Sequence, residues 1–308
     1  MKKNPSSILR RTRIITVGGG KGGVGKSIIA SGLAGEIGAL GRNVILVDGD
    51  LSGANLHLTM GIRYPERTLN DFMLGIYSEV EDVVLPTPLQ NVSLISGASG
   101  IYELANPRFM HKQKLVASLL RLKADYLIID VGAGSDEDNT DFFSLSEQGI
   151  TVITNEPTSV ENAYGFLKNG IIRKMLSMFS ARQDIRDIIM RYANPRRHGF
   201  HRLAQIADRI AEIDKQAGKE VKVMLMRYHP RIVVNMVKEA GDVTVHESFR
   251  QIARKYLDIE MTYLGYVMYD DTVKKSIRQL RPLHEFPDSP AVGCLKAVAR
   301  NILALEEV

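Results

Sequence analysis

Eight consecutive residues, Gly20-Lys-Gly-Gly-Val-Gly-Lys-Ser27, carry the strongest chemical signal in the chain. Gly20 and Gly25 stand five apart and Lys26-Ser27 follows at once, which is the spacing G-x-x-x-x-G-K-[ST]. Glycines let a backbone wrap an anion closely and turn several N–H groups inward. The chemistry this permits is the gripping of a phosphate. Gly20, Lys21, Gly22, Gly23, Val24 and Gly25 form the cradle, and Ile28 belongs to the same binding set. Lys26 reaches the outer phosphates and the Ser27 hydroxyl ligates Mg²⁺. The competing reading is a glycine-rich turn with no ligand; an apolar strand before and a helix after, at this spacing, weigh against it. Lys21 is unusual. Placed early in the loop, it points away from the loop's own centre, either into solvent or toward a phosphate across an interface.

Carboxylates follow two other apolar runs. Asp48 and Asp50 close Val44-Ile-Leu-Val47, and Asp130 closes Leu127-Ile-Ile129. In a parallel sheet the strand C-termini line the ligand crevice. Acidic side chains beside a phosphate chain repel it unless a cation lies between, and Mg²⁺ supplies one. Asp130 suits a water-mediated metal contact, while Gly132 and Gly134 leave the next loop free to move with the outermost phosphate. The run Ser135-Asp-Glu-Asp138 reads as a solvated loop, with a partner contact as the sharper alternative.

These residues need a scaffold. Ile14–Val17 and Val44–Val47 read as buried strands flanking an amphipathic helix over Ser27–Leu40 that stops at Gly41, a βαβ unit with parallel strands. The alternation continues with strands at Val92–Ile95, Tyr126–Ile129, Ile150–Ile153, Ile232–Val234 and Met261–Val267. Helices are expected over His111–Leu122, Val160–Met178 and Pro290–Leu305. Thr158 or Ser159 is expected to cap the second of these. The fold class is therefore α/β, a doubly wound, mainly parallel sheet with helices on both faces. Residues 13–308 form one domain after a basic tail at 1–12, interrupted at about 180–228 by a helical insertion. There Leu203, Ile206, Ala207, Ile210 and Ile213 fall at helical spacing, Gly218 is the expected stop, and Asn194–Gly199 reads as a turn.

The chain has 308 residues, 24% of them charged, with a net charge of +5. Residues 180–228 hold eleven Lys/Arg against six Asp/Glu, and the first thirteen residues add five more cations. Arg191, Arg196, Arg197, His198, His201 and Arg202 stand close together and can meet DNA phosphates, acidic lipid or an acidic partner, or lie in solvent. Cys294 is the only cysteine, which excludes an intramolecular disulfide and a multi-cysteine iron–sulfur site and suits a reducing cytoplasm. No apolar run reaches the length of a membrane-spanning helix.

The loop Gly19–Ser27 resembles the deviant Walker A motif of the MinD/ParA family of the SIMIBI class, P-loop ATPases on this same doubly wound fold. Asp48-Gly-Asp-Leu-Ser-Gly-Ala-Asn55 is similar to the family's switch I and Asp130-Val-Gly-Ala-Gly134 to its switch II. The resemblance implies ATP and Mg²⁺ as cofactors and an ATP-dependent homodimer in which Lys21 contacts the partner's nucleotide. It implies that Lys21 and Lys26 stabilise phosphate charge and that Asp50 orients the attacking water. Ser27 and Asp130 would hold the metal, with Asp48 supporting its shell. Asn235, ending a late strand, would face the adenine edge, although Asn is also a common strand-end turn residue. Met268 departs from the family's usual proline. The run Asp50–His57 and the entry Pro157-Thr-Ser159 resemble the FlhG (FleN) branch most, MinD-like ATPases of flagellar number and placement with protein partners at the cell pole. Two other functions stay open: a ParA-like DNA-partitioning ATPase using the basic insertion, and an ATP-dependent metabolic enzyme. The end Asn301–Val308 lacks the basic face of a MinD-type membrane helix, so no membrane contact is expected there. A cytoplasmic location follows, with peripheral attachment at the membrane or cell pole left open.

Overall fold

The computed structural model describes residues 12–50, 53–97, 109–193 and 202–306. Residues 1–11 of the basic tail, the turn Asn194–Gly199 and Arg196, Arg197, His198 and His201 fall outside them.

The apolar runs form strands, the inner ones covered on both faces and the two edge strands partly exposed. They are β1 (Arg13–Gly18), β2 (Val44–Asp48), β3 (Leu85–Pro86), β4 (Val92–Ile95), β5 (Tyr126–Asp130), β6 (Ile150–Ile153), β7 (Arg231–Val237) and β8 (Thr262–Met268). Their order across one sheet is β3-β4-β2-β5-β1-β6-β7-β8. Every pairing is parallel except that of β3 with β4, at the edge. Pro86 sits on that edge, where a missing N–H disrupts no interior ladder.

Side chains alternate between two cores. Ile15, Val17, Leu46 and Ile128 pack on one face under α1 (Lys26–Ala39) and the closing helix; Ile14, Val47, Leu127 and Ile129 pack on the other. Between α1 and β5 come α2 (Leu56–Thr59), α3 (Leu69–Met73) and α4 (Phe109–Leu119), the last ending three residues before the expected Leu122. The second face is covered by α5 (Glu137–Phe143), α6 (Pro157–Met178), α7 (Gln183–Ala193), α8 (Leu203–Ile213), α9 (Lys215–Arg227) and α10 (Val245–Ile252). α11 (Asp271–Gln279) and α12 (Pro290–Glu306) close the chain. No helix among the described residues is long and apolar enough to cross a membrane.

Three expectations fail for physical reasons. α1 is not amphipathic: Ile29 through Gly38 are buried all round, because the helix is wedged between the sheet and α12, where Leu295 covers Gly32. Gly218 does not end a helix. α8 ends at Ile213, Asp214 caps α9 by accepting the Ala217 N–H at 3.0 Å, and Gly218 lies inside α9. A Cβ there would stand 2.5 Å from Ala211 Cβ, so glycine serves the close approach of the two helices. Neither Thr158 nor Ser159 caps α6. Glu156 is the N-cap without a side-chain bond, Pro157 opens the helix, and the Ser159 hydroxyl accepts the Thr154 N–H at 3.0 Å.

Candidate functional site

β1 lies between β5 and β6, yet its chain continues to β2 on one side while β6 continues to β7 on the other. That is a topological switch point, and a crevice opens there beyond the strand C-termini. The glycine loop fills it, and α1 begins at Lys26. The first N–H groups of a helix have no intrahelical acceptor and form the positive end of its dipole.

Gly25 is the N-cap of α1, with φ 89°. A Cβ at this position would come within 2.1 Å of Asn235 Nδ2, so conformation and space both require glycine. Asn235 is 5% exposed and donates from Nδ2 to the Val24 carbonyl at 2.8 Å. The end of β7 therefore braces the loop from behind. Through that donor Asn235 is a loop-bracing residue, a contact the strand-end motif did not foretell.

Lys26 is buried, and its ammonium donates to the Lys21 carbonyl at 3.4 Å. Burial pulls its pKa down, while Asp130 and then Asp50 pull it up. Asp130 ends β5, directly beside β1 and in register with both Val17 and Asp48. Burial pushes its carboxyl up to about 8, opposed by the Ser27 hydroxyl that donates to it and assisted by the negative charge of Asp48. Asp48 is 1% exposed, and burial raises it to about 7. Its Oδ1 accepts the Asp50 N–H at 3.2 Å and its Oδ2 the Leu56 N–H at 3.0 Å. Asp48 thus anchors the backbone at Asp50 and at Leu56. Asp50 accepts the Gly53 N–H at 2.8 Å and faces Gly132, where a Cβ would be 3.2 Å from its Cγ. The two loops expected to respond to a phosphate meet at that contact.

The residues suit a magnesium ion. Asp130 Oδ1 is buried with no hydrogen-bond partner among the described residues, and Asp130 receives the hydroxyl of the loop serine. Among those residues no three His, Cys, Asp or Glu side chains gather into an all-protein cage. Mg²⁺ by its nature keeps waters and takes phosphate oxygens instead.

The remaining expected residues lie around this centre. Lys21 turns outward, with Nζ 2.5 Å from Glu156 Oε2 and 3.0 Å from Thr158 Oγ1. Gly22 and Gly23 are exposed and Ile28 is half-buried. The acidic run is not a loop. Asp136 caps α5 by accepting the Asn139 N–H at 2.9 Å, and Glu137 and Asp138 are its first helical residues. Asn139 donates to the Ala133 carbonyl at 2.8 Å, tying the loop after β5 to α5. Arg173 on α6 holds α5 in turn, bidentate to Asp141 at 2.8 and 3.0 Å and 2.9 Å from Glu137. Sequence reasoning missed Asn139, Glu156 and Arg173. Only Asp136, an aspartate three residues before Asn139 at a helix start, carried a readable signal.

A glycine cradle between a central parallel strand and its helix, flanked by carboxylates at the ends of neighbouring strands, defines a P-loop nucleotide-binding protein. The chain belongs to the CobQ/CobB/MinD/ParA nucleotide binding domain family, whose model matches residues 15–283. It is 28% identical over 293 residues to the antiactivator FleN of Pseudomonas aeruginosa, covering 94% of this chain and 86% of that protein. It is 29% identical over 178 residues to the flagellum site-determining protein YlxH of Helicobacter pylori, but this match spans only 54% of the chain and 57% of the relative. The septum site-determining protein MinD of Pyrococcus horikoshii, solved with Mg-ADP, shares the fold. Its TM-score is 0.63 at 21% identity, over 94% of this chain and 96% of that one.

Proposed function

We propose that the chain is a MinD-like ATPase, an ATP-dependent dimerising switch that controls the number or placement of flagella. The observation that carries the chemistry is the convergence of Lys26, Ser27 and Asp130 under a loop that also bears the outward Lys21. The likeness to FleN over nearly the whole chain supports the cellular role, and YlxH points the same way over half of it.

In this reading the cradle N–H groups and Lys26 hold the β- and γ-phosphates, while Ser27 and Asp130 hold the metal. Bound Mg²⁺ supplies charge neutralisation across the phosphate oxygens. Asp50 orients the attacking water, and its contact with Gly132 passes the state of the phosphate to the loop before α5. Lys21 leaves Glu156 to meet the nucleotide of a second copy. Hydrolysis is slow and stimulated by a protein partner, so the nucleotide times an association rather than driving a metabolic reaction. Asn235 faces the adenine edge with the part of its amide not given to Val24.

The ParA-like alternative rests on the basic insertion. Four of its described cations already pair with carboxylates: Arg182 with Asp184 and Asp214, Arg209 with Glu212, Lys222 with Asp208, and Arg202 with Asp258. Those pairs lower the charge left for DNA.

Size-exclusion chromatography of Asp50→Ala with and without Mg·ATP tests the switch. A nucleotide-dependent dimer that does not turn over is expected. Absence of magnesium-dependent nucleotide uptake in the wild type would end the proposal. In cells, loss of the chain should alter flagellar number or position; normal flagella with displaced septa would move the role to septum placement.

A further inference from the structure

The strands that carry the nucleotide site at their C-terminal ends border a second cavity at their N-terminal ends. It is an open pocket of about 690 Å³ between the starts of β1 and β7, the loop 144–148, α6 and the end of α12. That volume is in the range of small-molecule sites. Three cationic side chains line it: Arg13, Lys174 and Arg231.

Arg231 is the informative one. Its side chain is only 5% exposed. A guanidinium stays charged at any pH the protein meets, and burying such a charge is expensive unless a carboxylate pairs closely with it. Yet among the described residues its hydrogen bond goes to the neutral amide oxygen of Gln148. The neighbouring carboxylate oxygen, Glu306 Oε1, stands off at 3.9 Å, beyond hydrogen-bond range. Glu306 is committed elsewhere: its Oε2 accepts from Arg13 Nη1 at 2.8 Å and from the Tyr126 hydroxyl at 2.6 Å. Lys174 pairs with the half-exposed Glu147 at 3.5 Å and lies 5.6 Å from the centroid of the Tyr228 ring. Among the described residues one carboxylate from the last helical turn is shared by two arginines and leaves the buried one under-served.

We propose that this cavity binds a small organic polyanion bearing phosphate or carboxylate groups, held by Arg231, Arg13 and Lys174 in competition with Glu306. A planar guanidinium accepts either group bidentately. Ile15 and Leu145 in the lining give a carbon skeleton apolar contact, and an inorganic ion would leave most of the space to water. The site does not depend on the nucleotide reading. It is nevertheless joined to it, because β1, β5 and β7 run from Arg13, Tyr126 and Arg231 to the glycine loop, Asp130 and Asn235.

The test uses the full chain saturated with Mg·AMP-PNP, so that probes do not enter the phosphate loop. Citrate and fructose 1,6-bisphosphate are titrated by calorimetry, and which of them binds distinguishes a carboxylate from a phosphate ligand. At least one should bind with a sub-millimolar Kd. Lys174→Met should weaken it at least about five-fold, since a phosphate or carboxylate contact loses its charge. Glu306→Gln should tighten it at least about three-fold, because the competing charge is gone while the amide oxygen still accepts from Arg13 and Tyr126. Affinity for AMP-PNP should not change in either variant. If neither probe binds the wild type or Glu306→Gln, or if binding ignores both substitutions, the site is not there.

Discussion

Lys21 and Glu156, 135 residues apart in sequence, form an ion pair at 2.5 Å that holds the early lysine of the phosphate loop against the entrance of α6. The lysine side chain is 35% and the glutamate 61% exposed. A pair this open to water contributes about 0–1 kcal/mol, so Lys21 is positioned by its own chain yet easily released. If a second copy's nucleotide competes with Glu156, Glu156→Gln should favour the ATP-bound dimer by up to about five-fold, that same energy as an equilibrium constant. Nucleotide affinity of the monomer should stay as it was. Sedimentation with and without Mg·ATP reads both, and a weaker dimer in Glu156→Gln would show that the pair assists association.

Lys26 and Asp50 should separate binding from hydrolysis. Lys26→Ala removes the only buried cation of the cradle and should abolish measurable Mg·ATP uptake. Asp50→Ala should bind ATP and dimerise, with turnover reduced at least about 100-fold if Asp50 positions the water. Fluorescent-nucleotide titration and phosphate release distinguish the two, and wild-type turnover in Asp50→Ala would remove that residue from the chemistry.

Much of this site was legible because its signals are local. The strands announce themselves as unbroken apolar runs, since burial on both faces leaves no polar alternation. The glycine loop, Ser27 and Asp130 are each read from neighbours in sequence. What was not legible depends on distant partners. Lys21 finds Glu156, Arg173 finds Asp141, and Asn235 finds Val24 only once the sheet is wound. Asp48 reads as a metal-shell residue; that its oxygens also accept the Asp50 and Leu56 N–H groups is something no residue type reveals. Gly218 misleads for a different reason: glycine serves equally as a helix stop and as a point of close helix contact, and only the position of Ala211 decides.

Burial raises Asp48 to about 7 and Asp130 to about 8, against about 3.9 for an unfolded aspartate. The sign follows from proton linkage. A folded pKa above the unfolded one adds stability that is complete below about pH 4 and lost as pH rises through 7 to 8. The nucleotide-free chain should therefore melt at a lower temperature at pH 8.5 than at pH 6. Binding of Mg·ATP favours the charged carboxylates and should release protons near pH 6.5. Calorimetry in buffers of different ionisation enthalpy measures that release; identical binding heats in all of them would contradict the shifts.

The brace between Asn235 and the loop gives a test that couples stability to recognition. Gly25→Ala places a methyl group where Asn235 Nδ2 lies, at 2.1 Å, on a backbone with φ 89°. Both penalties act, and a loss of about 1–3 kcal/mol is expected for the conformation alone, together with loss of nucleotide binding. Asn235→Ala gives up the bond to the Val24 carbonyl, about 0.5–1.5 kcal/mol, and should weaken ATP binding and relax the preference for ATP over GTP. Combining them should recover part of the stability lost in Gly25→Ala, because the clash disappears with the amide while the strained φ stays. Denaturant melts of the four proteins yield the coupling energy. Strict additivity would mean that the loop moves away from β7 when the methyl is added, and the brace would then be a contact without mechanical consequence.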